Sequence, residues 1–182
     1  MRTLPRILGA VNVWSVQGAA LDAALPRLCE LLIDSVEHGA SVGFLAPLER
    51  ADAMAYWRGI SAAVDGGRCV LLLAGADDVL GTVQVDVDTL PNQRHRATIS
   101  KLLVHSGARR RGTGEALMVA AEREAFARGR WLLTLDTATA EAERLYLRLG
   151  WTAAGPIPDY AMNPDGSLTA STWYWKRLGP GA

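Results

Sequence analysis

The stretch that decides the fold is Lys101-Leu-Leu-Val-His-Ser-Gly-Ala-Arg-Arg-Arg-Gly-Thr-Gly-Glu-Ala-Leu-Met118. Its first residues complete an apolar run that predicts a strand from Arg96 to Val104. Its last residues begin a helical pattern of apolar side chains, which predicts a helix from Gly112 to Gly129. A basic turn that contains glycine therefore joins a strand to an amphipathic helix.

This turn has the features of an anion-binding site. Gly112 and Gly114 carry no Cβ, so the backbone can approach a ligand closely. The first amides of a helix lack an intrahelical acceptor, and the helix dipole adds positive charge there. Arg109, Arg110 and Arg111 add three guanidinium groups, whose geometry suits phosphate. We expect backbone amides and arginine side chains to hold an anionic ligand together.

Outward from this turn, the pattern predicts a mixed α/β fold. Asp22 is expected to cap a first helix that has Pro26 in its opening turn and ends at Gly39. The remaining predicted elements are a helix at 49–64, strands at 68–74, 79–90 and 96–104, the helix at 112–129, a strand at 131–137, a helix at 139–149, and strands at 151–160 and 172–178. Short links favour antiparallel hairpins, and the strand–helix–strand unit favours one parallel pair, with helices on both faces of the sheet.

Composition limits the function classes. The 182 residues suit one domain over 1–182, with residues 1–12 as a ragged lead-in. Nineteen basic residues balance nineteen acidic ones, so no global field would attract nucleic acid. The longest apolar stretch, 69–76, is far shorter than a membrane span. Cys29 and Cys69 have no metal-ligand spacing and are expected to be reduced thiols of a cytoplasmic protein without a metal.

The spacing Arg109-x-x-Gly112-x-Gly114 matches neither a Walker A loop nor Gly-x-Gly-x-x-Gly. It resembles the acetyl-CoA signature of the GCN5-related N-acetyltransferase (GNAT) family, in which the amides of the turn hold the pyrophosphate of coenzyme A. The resemblance implies a sheet whose parallel strand pair splays apart, and acetyl-CoA as the co-substrate. The cofactor contacts that it implies are Leu102, Leu103, Val104, Arg109, Arg110, Arg111, Gly112, Thr113, Gly114, Glu115 and Tyr146.

A second motif supports this resemblance. The segment Ala142-Glu-Arg-Leu-Tyr146-Leu-Arg-Leu-Gly-Trp151 is similar to a later helix of the family, A-x-x-L-Y-x-x-L-G-[FW]. The tyrosine at the matching position often protonates the departing thiolate of coenzyme A in that family. A phenol with a pKa of about 10 can supply this proton near neutral pH. The resemblance thus implies that Tyr146 is the catalytic acid.

Three further segments, Gly39–Phe44, Leu135–Thr137 and Pro158–Gly166, resemble the tabtoxin-resistance-type acetyltransferases of this family. This likeness implies acetyl transfer to the primary amine of a small, amino-acid-like or toxin substrate. The expected substrate contacts are Ser41, Phe44, Thr98, Asp136 and Tyr160.

The general base is less well defined by the sequence. Asp136 ends a strand on the polar side, so its carboxylate could bind the substrate ammonium or accept its proton through water. The family commonly has a glutamate where this chain has Thr98, and a threonine is no base. Asp136 alone, a chain of waters, or solvent acting on an already neutral amine remain open. A backbone amide near Leu103 or Val104 is expected to stabilise the oxyanion.

Two alternatives accompany this interpretation. Acetylation of a protein or peptide would need an open groove in place of a closed pocket. A regulatory protein that binds coenzyme A with weak or lost catalysis would explain Thr98. A nucleotide phosphotransferase is disfavoured because the loop lacks the lysine of a Walker A motif. The sequence is compatible with a monomer or a homodimer, and names no particular amine.

Overall fold

A computed structural model describes residues 11–76 and 78–179. Within these residues, the chain forms seven strands and four α-helices around one sheet. In chain order they are β1 (Asn12–Ser15), α1 (Gly18–Glu37), α2 (Arg50–Asp65), β2 (Cys69–Gly75), β3 (Val79–Asp86), β4 (Arg96–Val104), α3 (Thr113–Ala127), β5 (Leu132–Thr137), α4 (Ala140–Arg148), β6 (Thr152–Met162) and β7 (Leu168–Arg177).

The sheet has the strand order β1-β2-β3-β4-β5-β7-β6 and is antiparallel except for the parallel pair β4–β5. One hydrophobic core lies between the sheet and helices α1 and α2, and a second lies between the sheet and helices α3 and α4. Strand β2 is buried along its whole length because it faces both cores. The predicted mixed sheet with helices on both faces is therefore confirmed.

Strand β4 contains a β-bulge at Lys101, whose φ is 49°. Ser100 pairs with Gln84 of β3, but Leu103 pairs with Thr82, so β4 has one extra residue in this interval. The bulge reverses the side-chain alternation, because the period of a strand is two residues. Ile99 belongs to the core beside α3, whereas Leu103 belongs to the core beside α1 and α2.

Strands β4 and β5 separate after a short parallel ladder. Their pairing runs from Arg96 opposite Leu132 to Thr98 opposite Thr134, and it goes no further. Beyond Thr98, the edge of β4 that faces β5 has lost its partner strand. Backbone amides and carbonyls of β4 are thus available to a ligand that lies between the two strands.

The N-terminal part of the fold differs from the sequence-based prediction. Helix α1 begins at Gly18 with Gln17 as its N-cap, so Asp22 does not cap it and Pro26 lies inside the helix. The apolar contacts of Leu21, which is fully buried, extend the helix one turn further than the capping signal suggested. Residues 1–10 lie outside the described part of the chain.

Strand β1 is the element that the sequence analysis did not predict. It begins at Asn12, the last residue assigned to the lead-in, and pairs antiparallel with β2 from Asn12 opposite Gly75 to Ser15 opposite Leu72. Four residues give too short a pattern for recognition, so this strand exists because β2 offers it an edge. Within the described residues, no helix is both long and apolar enough to cross a membrane.

Candidate active site

A cleft of about 850 Å³ opens where β4 and β5 separate. Its walls come from the β4 bulge, the start of α3, the end of β5, α4 and the loop between α1 and α2. Two contacts hold this loop against the β6–β7 hairpin. Ser41 Oγ donates to the carbonyl of Met162 at 3.1 Å, and the amide of Ala46 donates to the carbonyl of Pro164 at 2.9 Å.

The start of α3 forms a basic wall of the cleft. Gly112 is the N-cap residue of α3 and has a φ of 86°. As a glycine, it has no side chain that could accept a hydrogen bond from the first amides of the helix. The first amides of α3 therefore depend on water or a ligand for an acceptor. Arg109 and Arg110 line the same wall, and Arg109 Nε donates to the carbonyl of Val104 at 3.3 Å. Glu115 accepts a hydrogen bond from Arg148 at 3.0 Å.

Arg111 differs from its predicted placement, whereas Gly114 lines the cleft as predicted and also packs closely against α4. Arg111 is exposed and is not among the residues that line the cleft. A Cβ at Gly114 would lie 3.4 Å from Leu145 Cδ2 and 3.9 Å from Val104 Cγ2. The absence of a side chain at Gly114 therefore permits close packing of α3 against α4, whereas a Cβ at Gly112 would meet no protein atom within 4 Å.

Tyr146 stands where α4 meets the cleft. It is the buried residue of α4, 6% exposed, and its ring packs against the rings of Trp151 and Tyr174 with centroid distances of 6.0 and 5.9 Å. Burial raises the pKa of its hydroxyl well above the ordinary value, and the charge of Asp136 raises it further. Tyr146 is therefore a neutral phenol that keeps its proton at physiological pH.

Asp136 is exposed and lies near the end of β5, on the side of the strand opposite to the buried Leu133 and Leu135. Its Oδ2 accepts a hydrogen bond from the hydroxyl of Ser171 at 2.6 Å, while Trp173 is its direct neighbour on β7. Ser171 is buried and also lines the cleft. The carboxylate is thus oriented by a fixed donor and reaches the cleft with its remaining acceptor capacity.

The structure brings most of the predicted site residues to one cleft. Phe44 and Thr98 are not part of its lining. Phe44 packs edge-on against Tyr56, with ring centroids 5.3 Å apart, and the hydroxyl of Thr98 lies 3.3 Å from that of Thr134, where β4 and β5 are still paired. The predicted residues that line the cleft are Ser41, Leu102, Leu103, Val104, Arg109, Arg110, Gly112, Thr113, Gly114, Glu115, Asp136, Tyr146 and Tyr160.

The sequence analysis missed Lys101 and Ser171 among the residues that line the cleft. The ammonium of Lys101 lies 5.4 Å from the ring centroid of Tyr56. Burial lowers the pKa of Lys101, and the negative charge of Asp136 partly opposes this. An alternating strand pattern gives no sign of a bulge, so no sequence signal pointed to Lys101. Among the described residues, no group of three or more His, Cys, Asp or Glu side chains could hold a metal ion.

The separated strand pair and the uncapped, basic start of α3 are typical of a class of proteins that bind a phosphorylated ligand at a helix N-terminus. Comparison of the sequence with known families agrees with this class. The acetyltransferase (GNAT) family matches residues 27–151. The chain belongs to this family and is an N-acetyltransferase of the GNAT type.

A relative with a similar sequence supports this assignment, and solved structures share the fold. An uncharacterized N-acetyltransferase in the hisH-hisA intergenic region of Azospirillum brasilense is 31% identical, and the match covers 76% of this chain and 90% of that protein. A ribosomal-protein-alanine N-acetyltransferase from Brucella melitensis has a TM-score of 0.78 at 19% identity, covering 92% of this chain and 99% of its own.

Two structures with this fold were solved with acetyl-CoA. A protein described as an acetyltransferase from Salmonella typhimurium, with its cofactor acetyl-CoA, has a TM-score of 0.76 at 18% identity, covering 96% of this chain and 97% of its own. A phosphinothricin acetyltransferase from Sinorhizobium meliloti in complex with acetyl-CoA has a TM-score of 0.77 at 17% identity, covering 94% of this chain and 90% of its own.

Proposed function

We propose that this protein transfers the acetyl group of acetyl-CoA to the primary amine of a small molecule, as a cytoplasmic enzyme of the tabtoxin-resistance type. The observation that carries the proposal is the shared cleft. The uncapped start of α3, the neutral phenol of Tyr146 and the carboxylate of Asp136 all face the same space. An acyl carrier and an amine bound there would meet between β4 and β5.

The basic wall fits the diphosphate of acetyl-CoA. Arg109 and Arg110 would pair with its phosphate oxygens, and the free amides at the start of α3 would donate to them. The left-handed backbone of Gly112 leaves open space where a side chain would stand. When bound, acetyl-CoA supplies a thioester whose carbonyl carbon is activated towards an amine.

The unpaired edge of β4 would hold the acetyl carbonyl. An amide of Leu103 or Val104 on this edge would donate to the oxygen on which negative charge develops. Such a donor costs no rearrangement during the reaction, because β3 keeps the strand in place through the pairs Thr82–Leu103 and Gly81–Val104. The bulge at Lys101 sets the direction in which these amides point.

Proton transfer would be divided between two residues. Asp136 would bind the substrate ammonium and accept its proton through water, with Ser171 fixing the orientation of the carboxylate. Tyr146 would give its proton to the departing sulfur. Its raised pKa keeps the hydroxyl protonated at neutral pH but also makes it a weaker acid than an ordinary phenol, so its place in the cleft, not its acidity, supports this role.

The test is release of free coenzyme A thiol from acetyl-CoA in the presence of a panel of amines, amino acids and short peptides. We expect turnover with small primary amines, and a fall of about tenfold or more in kcat/KM for Asp136→Asn. Binding of acetyl-CoA without turnover of any acceptor would contradict the proposal and favour the regulatory alternative. A preference for peptides over all small amines would favour protein or peptide acetylation.

A further inference from the structure

The chain has two lysines, Lys101 and Lys176, and their ammonium groups differ in their polar partners. Lys176 Nζ lies 2.7 Å from a carboxylate oxygen of Glu122 and donates to the carbonyl of Leu149 at 2.7 Å. Over residues 11–76 and 78–179, Lys101 Nζ has no carboxylate oxygen within 4.0 Å and no hydrogen-bond acceptor. A partly buried ammonium without an anionic partner is costly unless a ligand supplies one.

The position of Lys101 directs its charge into the cleft. Its ammonium lies 5.4 Å from the ring centroid of Tyr56 on α2, and a Cβ built at Gly43 would lie 3.7 Å from Nζ. The Tyr56 ring is itself held in place, because its hydroxyl exchanges hydrogen bonds with the side-chain amide of Gln84 at 2.9 and 3.1 Å. The ammonium of Lys101 is therefore stabilised by the face of an aromatic ring and not by a counter-ion.

Asp136 lines the same cleft and carries the opposite charge. The two groups are farther apart than 4.0 Å and do not form a salt bridge, although the charge of Asp136 acts on the ammonium of Lys101. A ligand with one positive and one negative group would satisfy both side chains. Free amino acids and molecules built like them have this pair of charges.

We propose that Lys101 binds a carboxylate of the acetyl acceptor, so that the preferred substrates are primary amines that also carry a carboxylate. This inference rests on the proposed function and adds a specificity residue, Lys101, for the amino-acid-like acceptor that the sequence resemblance implies. The ammonium of the acceptor would lie towards Asp136 and its carboxylate towards Lys101.

The diphosphate of the carrier is a poorer partner for this lysine. Lys101 Nζ lies against α2 and the α1–α2 loop, on the face of the sheet opposite to α3. The diphosphate site that we propose lies at the start of α3, where Arg109 and Arg110 line the cleft. Lys101 would therefore contact the second substrate and have little influence on the affinity for acetyl-CoA.

The experiment compares matched acceptors, namely free α-amino acids and their carboxamides, which share the side chain and the amine. For Lys101→Met, we expect kcat/KM for the free acid to fall by about tenfold to a hundredfold, the range for a lost charged hydrogen bond, and to fall much less for the carboxamide. Lys101→Arg should recover much of the loss. The acid-to-carboxamide ratio of kcat/KM is compared between enzyme variants. The two acceptors differ in amine pKa, but this difference cancels because every variant is measured with the same pair.

The control variant is Arg58→Met, which removes one positive charge from the exposed surface of α2. It should change the acid-to-carboxamide ratio by less than about twofold, since an exposed charge is screened by solvent and salt. Calorimetric titration with acetyl-CoA, together with far-UV circular dichroism, establishes that each variant is folded and binds the carrier.

The experiment distinguishes failure of the Lys101 inference from failure of the proposed function. Equal losses for acid and carboxamide in Lys101→Met, or no preference for acids in the wild-type enzyme, would overturn the inference and leave the acetyltransferase assignment intact. A loss of acetyl-CoA affinity in Lys101→Met would overturn it as well, because the lysine would then belong to the carrier site. If wild-type protein binds acetyl-CoA but turns over no amine, the proposed function itself fails.

Discussion

The backbone angle at Lys101 has consequences for a whole wall of the cleft. With a φ of 49°, this residue adds the bulge that turns Leu103 into one core while Ile99 remains in the other. A non-glycine residue in the left-handed region costs about 1–2 kcal/mol, so surrounding contacts must maintain it. Here the pairing with β3 on both sides of the bulge does so, and the result is a lysine that faces the cleft.

Replacement of Tyr146 by Phe tests the acid role at the residue scale. We expect kcat to fall by about ten- to a hundredfold, since the variant keeps the ring packing but has no proton to give. The dissociation constant of acetyl-CoA should change by less than about threefold, because the ring contacts with Trp151 and Tyr174 remain. Steady-state kinetics and calorimetry measure the two quantities, and an unchanged kcat would remove the acid role from Tyr146.

Helix α3 is the element on which the proposed carrier site depends. Its N-terminus begins at a left-handed Gly112, and its C-terminus is followed by a second left-handed glycine, Gly129, with a φ of 74°. Neither glycine has a protein atom within 4 Å of a Cβ built on it. The two positions therefore share the same backbone requirement, but only Gly112 lines the cleft.

This similarity allows a matched comparison of Gly112→Ala with Gly129→Ala. Each substitution should lower the free energy of unfolding by about 1 kcal/mol, because alanine is strained at positive φ. Only Gly112→Ala should weaken acetyl-CoA binding, by about tenfold, since its methyl group would occupy space next to the proposed diphosphate site. Urea unfolding and calorimetric titration provide the two measurements. Equal affinities in both variants would mean that the cleft at Gly112 does not hold the carrier.

At the scale of the whole molecule, Asp34 connects the helical layer of α1 to the turn that leads into α3. Its carboxylate accepts hydrogen bonds from the amide of Ser106 at 2.8 Å and from the hydroxyl of Ser106 at 2.6 Å. The side chain of Asp34 is 14% exposed. Burial acts to raise the pKa of Asp34, but the hydrogen bonds from Ser106 outweigh it and the pKa is lowered.

A lowered pKa in the folded state makes this contact sensitive to acid. The ionised carboxylate stabilises the fold fully above its unfolded pKa of about 3.9, and the contribution is lost as the pH falls through the lower folded pKa. We expect Asp34→Asn to lower the free energy of unfolding by about 1–3 kcal/mol at pH 7. The difference from wild type should shrink towards pH 3 in urea unfolding.

The control for Asp34 is Asp165→Asn in the β6–β7 turn. Asp165 also accepts hydrogen bonds from the amide and hydroxyl of a serine, Ser167 at 2.9 and 2.6 Å, and its pKa is also lowered. Its carboxylate is exposed and its partner is two residues away, so its loss should matter much less than that of Asp34. Similar effects of the two substitutions would contradict the idea that Asp34 connects two parts of the fold.

Sequence patterns were sufficient to predict a feature wherever its residues lie within one short segment of the chain. The turn with Arg109, Gly112 and Gly114 was recognised between a strand and a helix, because glycine, arginine and a helix start are local features. These local features could not show that Arg109 and Arg110 line the cleft whereas Arg111 does not. The direction of each arginine depends on the backbone of the turn, where Arg110 has a φ of 60° and Arg111 is exposed.

By itself, the sequence determined the order of the central elements, the parallel pair β4–β5 and the basic start of α3. Local propensities and hydrophobic periods determine such features. Only the tertiary structure decided that Lys101 faces the cleft, that Ser171 orients Asp136, and that Phe44 and Thr98 lie outside the lining. These depend on a bulge and on contacts between strands far apart in sequence, which no local pattern encodes.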